Sequence, residues 1–365
     1  ALMADAPACS GTSRSRARIV VAIATPLVLV ALLEFVVVTL GIAPPAPPAL
    51  EIWDSKEDRR LNDGASAFQF RREWLWEPRP GAEIFGDRIN DDGYRGPRAT
   101  LAKPPGRLRI ATLGDSTTFG FGLLEKHSWS RRLEDALRAR GIDAEVLNFG
   151  CIGYTAAQGV ALLHGRVRAY EPDIVILAFG AVNEQFAARS GMSDAEKILF
   201  LASSRARTAA FLTRYATVRW IREAIARPTE PVGDGTVGAT KARVPLADFP
   251  TLFAIARHEL PPATQLVLVS PPRRADGEHN MPGTLDYTRS LVDTARAMGL
   301  VCADVYDAFR DRDVAAFGEV RPQNLTQHAT SPLFVDPWHP SSDGHALYAE
   351  TVLAALDAGG VIPKR

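Results

Sequence analysis

"RIATLGDSTTFGFG", Arg109 to Gly122, starts as an apolar run and breaks at Gly114. One acid, Asp115, then stands beside three hydroxyls, Ser116, Thr117 and Thr118, before two further glycines. A short apolar run bounded by glycine reads as a buried strand. The polar cluster at its end has two readings. Ser, Thr and Asp favour turns and helix caps, so it is either a capped turn or a place where a hydroxyl nucleophile is brought to the edge of a sheet. The rest of the chain decides between them.

From Leu108 the chain alternates short apolar runs with amphipathic stretches. Strands are expected at Leu108–Leu113, Glu145–Phe149, Ile174–Phe179, Gln265–Ser270 and Leu300–Val305. Between the first two lies Ser128–Gly141, with Trp129, Leu133 and Leu137 on one helical stripe and Gly141 as its stop. Residues 155–170, 285–299 and 344–360 read as further helices. Such alternation predicts an α/β domain, a parallel sheet covered on both faces, in which ligands bind beyond the carboxyl ends of the strands. The opening stretch lies at one of those ends.

Other chemistry-bearing residues map to the same edge or to a late loop. "NFGCIGYT" (Asn148–Thr155) follows the second strand, and its Gly150 and Gly153 allow a backbone N–H to approach a ligand closely. "FGAVNEQ" (Phe179–Gln185) follows the third and supplies Asn183. "DPWHP" sets Asp336 three residues before His339 in a turn fixed by Pro337 and Pro340. That spacing lets the carboxylate bond one ring nitrogen and leaves the other for a serine, so Ser116, His339 and Asp336 form a candidate triad. Arg273 and Arg274, after the fourth strand, read either as the border of a pocket for an anionic or sugar ligand or as a solvated loop. His345 reads as structural. His127, His164, His258, His279 and His328 lack a paired acid at useful spacing and read as surface or packing residues.

Composition narrows the classes. Forty-two basic residues balance forty-two acidic ones, so no nucleic-acid surface is expected. Cys9, Cys151 and Cys302 form neither a disulfide framework nor a zinc motif. Residues 1–18 carry Arg14, Arg16 and Arg18 ahead of an apolar run, 19–43, long enough to span a bilayer as a helix. Pro26 is tolerable there, while Glu34 carries a cost near mid-span. Cations on the N-terminal side place residues 1–18 in the cytoplasm and the remainder outside. The run is long for a signal-peptide core and Pro44 would follow the cut, so an uncleaved anchor is favoured over a cleaved leader. Residues 44–106 form a Pro-rich linker and a turn-rich lead-in. Residues 227–246 lack periodicity and read as a loop insertion, either a lid or a loose insert.

Taken together, "GDS" at Ser116, "NFGCIG", "GAVN" and "DPWHP" resemble, in order, the motif blocks of the SGNH (GDSL-type) hydrolases. The resemblance runs from residue 107 to 365. It implies a three-layer α/β/α sandwich with a five-stranded parallel sheet in flavodoxin-like order, 2-1-3-4-5, and no metal or organic cofactor. It casts Ser116 as nucleophile and first oxyanion donor, Gly153 and Asn183 as further donors, His339 as base and Asp336 as its partner. The family's third block runs Gly-x-Asn-Asp, whereas Gly180 here precedes Ala181, Val182, Asn183 and Glu184. The GxSxG elbow of α/β-hydrolases is absent, because Thr118 occupies the second glycine's place. The function expected is a membrane-anchored, extracytoplasmic serine esterase acting on a small acyl ester or an acylated glycan. Acyl transfer to a polysaccharide by the same residues, and a non-catalytic glycan-binding module on the same fold, are the alternatives.

Overall fold

Short runs of β-branched and leucine residues, alternating in the faces they present, build the centre of the molecule. In the computed structural model, the described residues are 11–43, 67–188, 191–204, 208, 211–212, 215–225 and 241–363. Cys9, the first ten residues of the expected cytoplasmic segment, residues 44–66 of the expected linker and residues 227–240 of the expected insertion lie outside them. The chain divides into two units, residues 1–48 with 203–231 and residues 49–202 with 232–365.

The larger unit begins with two small antiparallel hairpins, β1 (Phe68–Arg71) with β2 (Leu75–Pro78), and β3 (Glu83–Ile84) with β4 (Asp87–Arg88). The main sheet follows: β5 (Leu108–Gly114), β6 (Ala144–Asn148), β7 (Ile174–Ala178), β8 (Gln265–Val269) and β9 (Val301–Ala303). All pairings are parallel and the order is β6-β5-β7-β8-β9, the expected 2-1-3-4-5. The fifth strand is shorter than its apolar run, because Asp304 caps the next helix and Val305 already belongs to it.

Alternation along β7 shows how the layers arise. Ile174, Ile176 and Ala178 face one side with Ile110, Val267 and Ala303. There they meet Trp129, Leu133 and Leu137 of a helix at Trp129–Ala139, Phe309 of one at Val305–Phe317, and Tyr348, Val352 and Leu356 of the last helix, Ser342–Ala358. Val175 and Leu177 face the other side with Ala111, Leu113 and Leu268. These pack on helices at Ala156–Gly165, Phe249–Glu259 and Gly283–Ala297, and on Trp74, Trp76 and Tyr94 of the lead-in. The result is a three-layer α/β/α sandwich. Residues 241–246, the described end of the expected insertion, are tied to the larger unit. Ala242 bridges Ala187, and buried Arg243 pairs with buried Asp194, which also takes a bond from Lys197.

In the smaller unit, a helix spans Gly11–Leu40 with Pro26 inside it. An 18-residue stretch of its segment Arg18–Leu40 has a mean hydropathy of 2.6, and the segment's apolar side chains are exposed except Val37, at 1%. Glu34, the residue the sequence marks as costly, accepts the N–H groups of Ala216 and Thr217 at 2.6 and 2.8 Å. Those N–H groups open the helix Ala216–Ile225 and would otherwise lack intrahelical partners.

Candidate active site

At the end of β5 the chain turns into a single helical turn, Ser116–Phe119, stopped by Gly120 in the left-handed region. Asp115 is its N-cap and accepts the Thr117 N–H at 2.8 Å. Thr117 and Thr118 thus open the helical turn and are buried, while Ser116, at 9% exposure, keeps access to the site. Burial pushes the Asp115 carboxyl up from its ordinary value.

The loop after β6 locks this turn from below. Asn148 donates from Nδ2 to the Thr118 carbonyl at 2.8 Å and accepts the Gly150 N–H on Oδ1 at 3.0 Å. Gly150 is needed for contact with protein backbone: a Cβ there would stand 2.4 Å from the Phe119 nitrogen. Its own N–H is taken by Asn148, which leaves Gly153 as the other glycine of the block. It has a φ of +77°, and its N–H finds no hydrogen-bond partner among the described residues.

The lead-in supplies a support that the motifs do not announce. Buried Arg95 donates from Nη1 to the carbonyls of Phe119 and Gly120 at 2.7 and 2.8 Å, and from Nη2 to Asp87 at 2.6 Å and to the Leu123 carbonyl. Asp87 also accepts the Glu125 N–H. One guanidinium thus ties hairpin β3–β4 to the loop leaving Ser116.

Asp336 and His339 sit in a turn of their own. Oδ1 of Asp336 accepts the backbone N–H groups of Trp338 and His339, both at 2.8 Å, and Val335 N–H bonds the His339 carbonyl at 2.9 Å. Oδ2 lies 2.7 Å from His339 Nδ1, and Nε2 lies 2.9 Å from Ser116 Oγ. Burial pushes the Asp336 carboxyl up, yet the bonds from His339 and from those two N–H groups outweigh it and hold it at about 2. An ionised carboxylate can only accept, so Nδ1 carries the ring proton and Nε2 accepts from the serine hydroxyl. Phe121 stacks on the imidazole, with centroids 4.1 Å apart and planes at 19°, and Phe85 meets Phe121 edge-on. The signal for Phe121 was only an aromatic between two glycines.

Asn183 joins the strand-end blocks. Its Nδ2 donates to the Tyr154 carbonyl at 3.1 Å and reaches Asp115 Oδ2 at 3.4 Å. Both neighbours are acceptors, which fixes the amide's orientation, and serving a developing oxyanion requires giving up the longer contact. Glu184, beside it, is fully buried and accepts the Ala156 N–H at 3.2 Å. Burial, helped by the charge of Asp115, pushes its carboxyl up to about 7. His345 is placed in the core, its Nδ1 accepting the Trp129 N–H at 3.0 Å. Burial pushes that imidazole down to about 3.

A sequence profile described as the GDSL-like lipase/acylhydrolase family matches residues 112–347, more than half of the chain. An arylesterase from Vibrio mimicus is 34% identical over 73 residues, a match that takes in 20% of this chain and 36% of that protein. The chain thus spans little more than a third of that relative. Among solved structures, a lipase/acylhydrolase from Enterococcus faecalis is 18% identical, with 71% of this chain and 99% of that one covered at a TM-score of 0.45. An acetyl xylan esterase from Geobacillus stearothermophilus is 16% identical, with 71% and 97% covered and a TM-score of 0.43. On the strength of the profile match and the order of its motif blocks, the chain belongs to the GDSL-like lipase/acylhydrolase family.

Proposed function

We propose that this protein is a membrane-anchored serine esterase whose catalytic domain lies outside the cytoplasmic membrane. Ser116 Oγ attacks the ester carbonyl while His339 Nε2 takes its proton, and Asp336 holds the imidazole in the required tautomer and balances its charge. The N–H groups of Ser116 and Gly153 and the Asn183 amide receive the oxyanion, each donor contributing roughly a hundredfold to a thousandfold in rate. His339 returns the proton to the leaving alkoxide, and an acyl-enzyme remains on Ser116. Water deprotonated by His339 then attacks that acyl carbonyl, releasing the acid and restoring the serine.

The observation that carries this reading is the unbroken chain of two hydrogen bonds from Asp336 through His339 to Ser116, whose ends lie more than two hundred residues apart in sequence. What supports the anchor is the 23-residue apolar segment Arg18–Leu40 behind its arginines. The substrate class, a short acyl ester such as an O-acetyl group on an exported glycan, follows from that outward placement. Ser116→Ala should lower turnover of p-nitrophenyl acetate at least a thousandfold while circular dichroism and Tm stay unchanged. Undiminished turnover in a folded S116A protein sinks the mechanism.

A further inference from the structure

A cavity lies away from the serine, among the loop after β8, a short helix at Ala275–Asn280, the helices Gly283–Ala297 and Val305–Phe317, and the turn Leu325–His328. Its volume is about 440 Å³, and neither Ser116, His339 nor Asp336 lines it. Four guanidiniums, Arg273, Arg289, Arg310 and Arg321, face two carboxylates, Glu278 and Asp313.

The innermost cation is the informative one. The Arg273 side chain is fully buried and its face lies on the Tyr306 ring, 4.7 Å from the centroid. Nη2 donates to Thr288 Oγ1 at 2.6 Å, but Nε and Nη1 have no hydrogen-bond partner among the described residues. Glu278, its nearest carboxylate, stands 3.7 Å off and takes the Tyr306 hydroxyl instead. His328, completely buried on the same wall, has both ring nitrogens unpartnered. Asp313 is already engaged by Ser331 Oγ. Arg310 and Arg321 have no carboxylate within ion-pair distance among the described residues. A buried guanidinium with two unmet donors is costly to keep, and with Arg289 paired to Asp286 at 3.8 Å the remaining guanidiniums still outnumber the lining carboxylates by one, so the cavity suits an anion. Arginine forks suit the oxygens of a phosphate.

We propose that this cavity binds the phosphate group of a phosphate monoester, with Arg273 and His328 on its buried side and Arg310 and Arg321 at its mouth. The volume exceeds what the phosphate alone needs and falls within the range of small-molecule sites, so the ligand carries a further body about the size of a sugar ring or a glycerol. The short helix that lines the cavity also borders the catalytic turn, since Arg274 N–H bonds the Pro337 carbonyl at 3.0 Å. The site is nonetheless separate from the serine, and its occupancy is measurable whether or not Ser116 is the nucleophile.

The test is calorimetric titration of the full chain in detergent with inorganic phosphate, glycerol 1-phosphate and dihexanoyl phosphatidic acid, at constant ionic strength. Saturable binding is expected for phosphate and at least one ester, unchanged in S116A and weakened tenfold or more in the Arg310→Ala/Arg321→Ala double variant. Arg273→Met should abolish it; should that variant fail to fold, the double variant, which changes only the mouth, decides alone. A preference for glycerol 1-phosphate assigns a soluble ester, and a preference for phosphatidic acid a lipid headgroup. No saturable phosphate binding, or equal affinity in wild type and the double variant, overturns the site.

Discussion

Glu184 stands where the family pattern carries an aspartate, and its longer side chain reaches the first turn of the helix Ala156–Gly165. Its carboxyl titrates near 7 in the folded protein against an ordinary value of 4.5. The native state therefore keeps a proton that the unfolded chain gives up, and stability falls as pH rises from about 4.5 to about 7. Glu184→Gln keeps the acceptor for Ala156 and removes the ionisation, so its Tm should fall less steeply over that interval and exceed the wild-type Tm at pH 7.5. Parallel Tm curves for the two proteins across pH 5–8 would refute the assignment. Asp336 has the opposite sign. Held at about 2, below its ordinary 3.8, it adds stability that is present above pH 4 and lost as pH falls through 2. Asp336→Asn should leave the fold intact at neutral pH and lower ester turnover by about 10⁴, the loss a wrong imidazole tautomer brings. A D336N enzyme within tenfold of wild type would remove that carboxylate from the mechanism.

Between elements, the coupling of hairpin β3–β4 to the Ser116 turn rests on Arg95, a buried charge with four acceptors. Its removal leaves the Phe119 and Gly120 carbonyls without that donor and half-buried Asp87 with only the Glu125 N–H, a loss of about 1–3 kcal/mol for buried acceptors left unmet. Arg95→Ala should lower the denaturation midpoint accordingly and raise KM as the loop beyond Ser116 loosens; an unchanged midpoint in urea would mean water replaces the guanidinium without cost. Such long-range coupling leaves no local pattern in the sequence. The strands were legible because Ile174–Ala178 and its neighbours are short apolar runs bounded by turn residues, and the Asp336–His339 turn because both partners lie three residues apart. Arg95, Phe121 and Arg273 act through partners that no local period or motif connects to them. Arg273 in particular read equally as pocket border or solvated loop, and only the fold, by burying its side chain against Tyr306, separates it from Arg274, which pairs with nearby Asp276.

At the scale of the molecule, both hydrophobic clusters draw their residues from the larger unit alone. The sandwich is thus expected to fold without the first helix, whose exposed apolar surface suits lipid rather than a protein core. The smaller unit has the reverse dependence. Ala216–Ile225 leaves Trp220 and Ile221 exposed beside Tyr215, and its first N–H groups are satisfied by Glu34. A ten-residue helix is marginal by itself in water, so removing residues 1–43 takes away both its cap and its neighbour. The truncated protein should keep p-nitrophenyl acetate turnover within about threefold of the full chain, since a serine site built on the sheet is left untouched. Limited trypsin digestion should meanwhile cut at Arg219 or Arg222 well before any site in the sandwich. Full-length Glu34→Ala, which loses only the cap, a term of about 1 kcal/mol, should be cut at the same arginines but more slowly. A truncated protein that loses turnover would show that the sandwich needs the first helix, and one that keeps Ala216–Ile225 as resistant as the full chain would show that Glu34 does not hold that helix.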